Sequence, residues 1–293
     1  MVIDVIKRVE LLAVAREAIT TASEVILDIY QQDDFAIETK KDHTPVTRAD
    51  KESSAIIEKI LLQKTNTIVI SEENTTNVKQ NDLYNKNFWL IDPIDGTKHF
   101  ISKDGEFSVN LALISQGEIL AGYVYAPVSK TFYHAVKGLG AYKISNFNQQ
   151  NEQEIRIKSS GSVFQRTHKL KILTGKRSGN NKQTIALIDH LKKDYRIEEK
   201  SLGSSLKMCQ IAEGKSDLYP RIGGTSEWDT AAAHIILKEA GGNIITLPDL
   251  KELSVLQNNK DWGNPHFIAC GTPDIQWMSD GNYLPEITSR FEK

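Results

Sequence analysis

The sequence predicts a first half of the α+β class, with helices packed on a largely antiparallel sheet, and a second half of the α/β class. Three observations predict this architecture. Apolar residues recur at helical spacing up to residue 61, short apolar runs separated by turn residues follow up to residue 136, and strand-like and helix-like segments alternate after residue 170.

Residues 5–30 are expected to form one long amphipathic helix, because their apolar side chains recur every three or four positions. The positions that predict this helix are Ala15, Ala18, Ile19, Ala22, Ile26 and Ile29. A second helix is expected after Thr47, with Ile56, Ile57, Ile60 and Leu61 facing inward.

The pattern then changes to short strands. The expected strands cover residues 67–70, 88–91, 107–114, 119–125 and 131–136. Turn residues at 116–117 and 138–140 separate the later ones.

A polar segment over residues 145–154 is expected to be a surface loop close to a domain boundary. We therefore predict two halves, residues 1–150 and residues 151–293. In the second half, strands at 170–173 and 218–219 alternate with helices at 182–191, 205–212 and 230–240.

The composition indicates a folded, soluble protein and excludes several classes. Of 293 residues, 40% are hydrophobic and 25% are charged. The net charge of -2 provides no basic field for a nucleic acid polymer. Cys209 and Cys270 lie in apolar contexts, as buried reduced thiols do. Since no stretch approaches the ~18 apolar residues of a membrane span, we expect a cytoplasmic protein whose association with the inner membrane, if any, is peripheral.

The most informative segment is Asp92-Pro93-Ile94-Asp95-Gly96-Thr97, which follows an apolar, strand-like run. Two carboxylates three positions apart, with a backbone carbonyl between them, suit Mg²⁺, Mn²⁺ or Ca²⁺ better than zinc. The alternative is a simple turn with an aspartate cap, because Asp-Pro and Asp-Gly are common turn pairs.

Three further acidic positions lie at strand or helix ends. Glu72 and Glu73 directly follow an expected strand, and the alternative for them is a solvated acidic loop. Asp229 opens an alanine-rich helix, where it could act only as a cap. Thr47 and Asp50 have the spacing of a capping box, which explains Asp50 without any chemistry.

In order and approximate spacing, three motifs resemble those of the lithium-sensitive, magnesium-dependent phosphatases related to inositol monophosphatase. They are Glu72-Glu73, Asp92-Pro93-Ile94-Asp95-Gly96-Thr97 and Trp228-Asp229-Thr230-Ala231-Ala232. The resemblance implies a layered αβαβα sugar-phosphatase-type fold. Within this family, the 3'(2'),5'-bisphosphate nucleotidases are the most similar, on two further segments: Asp95-Gly96-Thr97-Lys98-His99-Phe100-Ile101, and Gly203-Ser204-Ser205-Leu206-Lys207 with Leu218-Tyr219-Pro220-Arg221.

The resemblance implies a set of metal ligands drawn from both halves of the chain. The implied ligands of two or three Mg²⁺ ions are Glu72, Asp92, Asp95, Asp229 and the carbonyl oxygen of Ile94. It also implies that Asp50 and Thr97 orient the attacking water.

The resemblance further implies the residues that contact the substrate. Gly96 and Thr97 are expected to begin a helix, and their backbone amides to face the phosphate. Asp229 is also expected to lie beside the substrate. Ser204, Lys207 and Arg221 hold a second phosphate; the alternative for Lys207 and Arg221 is ordinary surface charge. The family often has a histidine after Arg-Ser in the segment that is here Lys176-Arg177-Ser178-Gly179, and this chain lacks it.

The implied reaction is the Mg²⁺-dependent conversion of adenosine 3',5'-bisphosphate (PAP) to AMP and phosphate, which clears a by-product of sulfate assimilation. The sulfated precursor, PAPS, is a second expected substrate and gives APS. One alternative is a phosphatase of inositol or other sugar phosphates, and another is a non-catalytic Mg²⁺-dependent binding protein. The expected partner is thus a small nucleotide bisphosphate, bound by a monomer or a homodimer.

Overall fold

The computed structural model describes residues 5–32, 34–40, 45–75, 78–176, 181–256, 262–272, 274 and 277–278. The helices in these residues are α1 (Val5–Tyr30), α2 (Arg48–Thr65), α3 (Thr97–Ile101), α4 (Val163–Thr167), α5 (Lys182–Leu191), α6 (Leu206–Ala212) and α7 (Glu227–Glu239). None of the helices in the described ranges is both long enough and apolar enough to serve as a membrane span.

Most strands of the first half form one seven-stranded sheet. After a short pair, β1 (Glu38–Thr39) and β2 (Pro45–Val46), the strands are β3 (Ile68–Ser71), β4 (Asn87–Asp95), β5 (Ser108–Ser115), β6 (Glu118–Ala126), β7 (Thr131–Val136), β8 (Gly140–Ser145) and β9 (Gln153–Ile157). They follow one another in chain order across the sheet. Neighbours are antiparallel except β3 and β4, which are parallel.

The second sheet has five strands and is mixed. Its strands are β10 (Lys169–Thr174), β11 (Arg196–Ser201), β12 (Leu218–Arg221), β13 (Asn243–Thr246) and β14 (Phe267–Cys270). The spatial order is β11-β10-β12-β14-β13, in which β10 is parallel to both of its neighbours and β14 is antiparallel to both of its own.

Three apolar clusters separate the layers. One joins α1 and α2 to one face of the first sheet. The second contains α6 and α7 between the two sheets. The third covers the other face of the second sheet with α4 and α5. The order helix, sheet, helix, sheet, helix confirms the expected layered αβαβα fold.

Helix α7 lies directly on the first sheet because small residues face each other at the contact. A Cβ atom added to Gly122 of β6 would lie 2.3 Å from the carbonyl oxygen of Ala232 and 2.4 Å from a methyl group of Ile235. The contact therefore requires glycine at position 122, and it places the first turn of α7 at the edge of the sheet where β4 ends.

The expected helices over residues 5–30, 182–191 and after Thr47 are confirmed, and so are the expected strands of the first sheet through residue 136. One boundary was wrong: β4 does not end at Ile91 but continues to Asp95. Seven strands were not predicted, namely β1, β2, β8, β9, β11, β13 and β14. The polar segment lies largely in the connection between β8 and β9, and the division at residue 150 remains a prediction.

Candidate active site

The parallel pairing of β3 and β4 brings Glu72 close to Asp92. Ser71 is paired with Ile91 in the register of the two strands, so the next residue of each strand extends from the same edge of the sheet. Glu72 begins a short 3₁₀ turn there. Because β3 ends at Ser71, the residues of β4 after Ile91 have no paired strand on that side within the described ranges.

Proline forces an irregularity into the final part of β4. Asp92 is paired with Asn110 of β5 and Asp95 with Ser108, so two residues of β4 lie opposite one residue of β5 between these pairs, and β4 has one extra residue. Pro93 cannot donate a ladder hydrogen bond, which explains a bulge at this point. Within the bulge, the amide of Ile94 donates to Asp92 Oδ1 at 3.0 Å.

The first turn of α7 provides the third carboxylate. Asp229 Oδ2 accepts a hydrogen bond from the amide of Ser226 at 2.8 Å, which is the capping interaction that the sequence also allowed. Even so, Glu72, Asp92 and Asp229 each present a carboxylate oxygen within 4.8 Å of the others. An all-oxygen set of this kind fits a hard divalent cation such as Mg²⁺.

Burial and mutual repulsion both raise the pKa values of these carboxylates. Burial, with the charges of Glu72, Asp95 and Asp229, raises the pKa of Asp92 well above its ordinary value. Burial and the charges of Asp95 and Glu72 raise the pKa of Asp229 to about 8. A cation at the site would remove this repulsion, because opposite charge favours the ionised form.

A lysine that the sequence analysis did not predict lies beside Glu72. Lys40 Nζ contacts Glu72 Oε1 and Glu73 Oε1, each at 2.6 Å. Burial lowers the pKa of Lys40, but the two glutamates outweigh this effect, and the pKa lies above its ordinary value. Lys40 thus supplies positive charge at one edge of the carboxylate group.

Asp50 and Thr97 are in direct contact, as expected of a pair with a shared role. Thr97 Oγ1 lies 3.1 Å from Asp50 Oδ1 and 3.3 Å from the carbonyl oxygen of Ile94. The other carboxylate oxygen of Asp50 accepts a hydrogen bond from the amide of Thr47 at 2.8 Å. Asp50 therefore caps α2 with one oxygen and contacts Thr97 with the other.

A cavity of about 650 Å³ opens in front of these groups. Its wall includes all the residues that the sequence predicts to bind metal or substrate, which are Glu72, Asp92, Ile94, Asp95, Gly96, Thr97, Ser204, Lys207, Arg221 and Asp229. Asp50, predicted to orient the attacking water, is not part of the wall. Gly96 has a φ of 94° and directly precedes the five-residue helix α3, which begins at Thr97.

Lys207 is a buried cation in this wall, only 6% exposed. Its Nζ donates to the carbonyl oxygens of Leu202 at 3.1 Å and Ser204 at 2.7 Å. It also lies 4.9 Å from the centre of the Tyr219 ring. Burial lowers the pKa of Lys207 to about 8, although Asp95 opposes the effect. Lys207 is not ordinary surface charge.

Arg221 lies at the end of β12 and also contributes to the wall. Its guanidinium donates to the carbonyl oxygen of Gly224 at 2.6 Å. Its Nε atom is buried and has no hydrogen-bond partner within the described residues. Arg221 lowers the pKa of Lys207, as a neighbouring positive charge does. A buried lysine and a partly buried arginine in one wall suit an anionic ligand.

The sequence analysis gave no role to Asn110 or Ser205, which surround the carboxylate of Asp95. Asn110 could have been noticed as a polar residue in the middle of an apolar strand.

At the mouth of the cavity, Asp104 accepts hydrogen bonds from His99 and Lys176, and no motif predicted this contact. Lys176 is described, but residues 177–180, where the expected histidine is missing, lie outside the described residues.

Comparison with known proteins gives a consistent result. The profile of the inositol monophosphatase family matches residues 7–282, a range that includes every site residue described above. The 3'(2'),5'-bisphosphate nucleotidase CysQ of Salmonella typhimurium is 36% identical over 225 residues, which are 76% of this chain and 85% of that protein. The enzyme of the same name from Buchnera aphidicola is 37% identical over 228 residues, 77% of this chain and 80% of its own.

Two solved structures have the same architecture. CysQ from Bacteroides thetaiotaomicron, described as a bacterial member of the inositol monophosphatase family, matches with a TM-score of 0.70 and 32% identity over 86% of this chain and 94% of its own. Inositol monophosphatase II from Staphylococcus aureus matches with a TM-score of 0.73 and 22% identity over 97% of this chain and 99% of its own, which supports the fold alone.

Proposed function

Since the chain belongs to the inositol monophosphatase family, we propose that it is a Mg²⁺-dependent 3'(2'),5'-bisphosphate nucleotidase that converts PAP to AMP and phosphate. We propose PAPS, which would give APS, as a second substrate. The observation that carries the proposal is a single cavity in which the carboxylates lie together with two cations, the buried Lys207 and the partly buried Arg221. The names of the relatives that are 36% and 37% identical support it.

In this proposal, Glu72, Asp92, Asp95 and Asp229, with the carbonyl oxygen of Ile94, hold two or three Mg²⁺ ions. When bound, the metal supplies Lewis-acid polarisation of the phosphate and lowers the pKa of the attacking water. The close approach of the carboxylates of Glu72, Asp92 and Asp229 supports this assignment. The pKa values of Asp92 and Asp229, raised by burial and by the neighbouring carboxylates, support it as well.

Thr97 and Asp50 orient and deprotonate the attacking water. Thr97 Oγ1 can accept one proton of the water while it donates its own proton to Asp50 Oδ1, which lies 3.1 Å away. Burial raises the pKa of Asp50, so this carboxylate accepts a proton more readily than an exposed aspartate does. The new oxygen–phosphorus bond forms as the bond to the 3'-oxygen of the ribose breaks; that oxygen takes up a proton from solvent, and Asp50 returns the proton it accepted to solvent.

Lys207 and Arg221 bind the phosphate that is not cleaved. Lys207 uses two of its three N–H donors on the carbonyl oxygens of Leu202 and Ser204, so one donor is free for the ligand. Arg221 offers its Nε, which has no hydrogen-bond partner in the part of the chain that the structure describes. An inositol monophosphate has no second phosphate to satisfy these groups, so the site favours the bisphosphate.

Phosphate release from PAP and from inositol 1-phosphate, each with and without Mg²⁺, tests the proposal. We expect Mg²⁺-dependent release with a kcat/KM for PAP at least 100-fold above that for inositol 1-phosphate. In Lys207→Met, the value for PAP should fall at least 10-fold and the value for inositol 1-phosphate should change less. Equal or better turnover of inositol 1-phosphate by the unaltered protein would refute the nucleotidase assignment, and no turnover of either would favour a binding protein.

A further inference from the structure

We propose that Ser205 and Asn110 are positioning residues that hold the carboxylate of Asp95 in a fixed orientation, so that one of its oxygens remains available to a metal ion. This inference rests on the proposed function, because it assumes that Asp95 binds metal. It concerns two residues to which neither the motifs nor the pattern of the relatives gave a role.

The hydrogen bonds at Asp95 all converge on one oxygen atom. Asp95 Oδ2 lies 2.6 Å from the amide nitrogen of Ser205, 2.6 Å from Ser205 Oγ and 3.2 Å from Asn110 Nδ2. Within the described residues, Oδ1 has no hydrogen-bond donor. A carboxylate held in this way cannot rotate freely, and Oδ1 is the oxygen left for a cation.

Asn110 is itself oriented by a further contact. It lies in β5 and is 1% exposed. Its Oδ1 accepts a hydrogen bond from Ser108 Oγ at 3.0 Å, which leaves Nδ2 to face the site. The two protons of Nδ2 are then directed to Asp95 Oδ2 and to Ser205 Oγ, the latter at 3.0 Å. The side-chain oxygen and both N–H groups of Asn110 therefore have hydrogen-bond partners.

Ser205 connects two of the proposed ligands. Its Oγ lies 2.6 Å from Asp95 Oδ2 and 2.5 Å from the backbone carbonyl oxygen of Asp229. One hydroxyl proton can be donated to only one of them at a time, but both contacts keep the end of β4 close to the first turn of α7. Ser205 is 1% exposed, so water does not compete for these hydrogen bonds.

The same residue belongs to the loop that carries the proposed substrate contacts. Ser204, next to it, has a φ of 50°, an uncommon backbone conformation for a residue with a side chain. On the other side of Ser204, the amide of Gly203 donates to Glu106 Oε2 at 2.9 Å. Asp95 and Glu106 thus hold the amides on both sides of Ser204, and the metal site and the substrate loop share one set of contacts.

Hydrogen bonds to the ligating carboxylate typically change metal affinity by about 10–100-fold. We therefore expect Ser205→Ala and Asn110→Ala to weaken Mn²⁺ binding by about that factor, measured by electron paramagnetic resonance titration without substrate. Ser159→Ala is the matched control, because it removes a buried serine hydroxyl that donates to the carbonyl oxygen of Gly271, away from the cavity. Its Mn²⁺ affinity should match that of the unaltered protein.

A second measurement separates positioning from a general structural effect. In an Asp95→Ala background, where the carboxylate is gone, adding Ser205→Ala should not change the residual Mn²⁺ affinity further. A full additional loss in that background would overturn the proposal, and so would unchanged affinity in both single variants. Unfolding of both metal-free single variants, seen by circular dichroism, would also count against it, since the contacts would then serve the core.

The outcome is distinguishable from failure of the proposed function. If the protein binds Mn²⁺ but hydrolyses no bisphosphate, the nucleotidase assignment fails, and the titrations of the variants still decide the role of Ser205 and Asn110.

Discussion

Replacing Lys207 with methionine should alter stability and activity in opposite directions. Methionine has a similar length and no charge, so the change removes the buried ammonium and keeps most of the volume. Burial lowers the pKa of Lys207 from 10.5 to about 8. Each pKa unit corresponds to about 1.4 kcal/mol, so burying this charge costs the folded protein about 3 kcal/mol at low pH. Lys207→Met removes this cost and so stabilises the folded protein. It also removes the hydrogen bonds to Leu202 and Ser204, which offsets the stabilisation by about 1 kcal/mol each.

The sign of the pH dependence follows from the direction of the pKa change. Because the folded-state pKa is the lower one, the destabilising effect of Lys207 is complete below pH 8 and disappears as the pH rises from about 8 to 10.5. The stability of Lys207→Met relative to the unaltered protein should therefore be most favourable at pH 7 and should fall by about 2 kcal/mol by pH 10.

Urea unfolding in EDTA, followed by circular dichroism at pH 7 and pH 10, measures this difference. EDTA keeps the site free of metal, so the charges around Lys207 are those of the protein alone. A difference between the two proteins that does not change with pH would refute the reasoning. It would mean that the pKa of Lys207 is the same in the folded and the unfolded protein, so that burying its charge costs nothing.

Three further outcomes are expected. Gly122→Ala should lower the free energy of unfolding by about 3 kcal/mol, because the new methyl group overlaps the backbone of α7; Gly224→Ala, where the structure leaves open space, is the control and should be neutral in urea unfolding. Mg²⁺ at 100 times its dissociation constant should raise the free energy of unfolding by about 2.7 kcal/mol, and an unchanged melting temperature would argue against a metal site. Asp95→Asn should abolish phosphate release and leave the circular dichroism spectrum unchanged; loss of the folded spectrum would favour the simple turn.

Much of the fold could be predicted from local patterns. Residues 5–30 have a long amphipathic period that few structures other than a helix satisfy, and α1 covers that range. Strand β11 could not be recognised in the same way, because its sequence is Arg-Ile-Glu-Glu-Lys-Ser and nearly every residue is exposed at the edge of the sheet. Its pairing with β10 depends on partners distant in sequence.

Prediction of the candidate site from the sequence is also limited by contacts between residues that are distant in the chain. Asp92 and Asp95 could be selected because proline, glycine and two carboxylates occur together, but β4 continues through them as a bulged strand. That bulge depends on the pairing with β5, which no local pattern specifies. Lys40 and Ser205 reach the site only through tertiary contacts. No motif surrounds Lys40, and the motif that contains Ser205 gave a role to Ser204 and Lys207 but none to Ser205.

The most direct test of the account is to identify which phosphate leaves PAP. The account assigns the cleaved 3'-phosphate to the carboxylate side of the cavity and the retained 5'-phosphate to Lys207 and Arg221. Phosphorus-31 nuclear magnetic resonance of the products should show adenosine 5'-monophosphate and inorganic phosphate, formed only in the presence of Mg²⁺. Formation of adenosine 3'-monophosphate, or release of phosphate at the same rate in EDTA, would contradict the account.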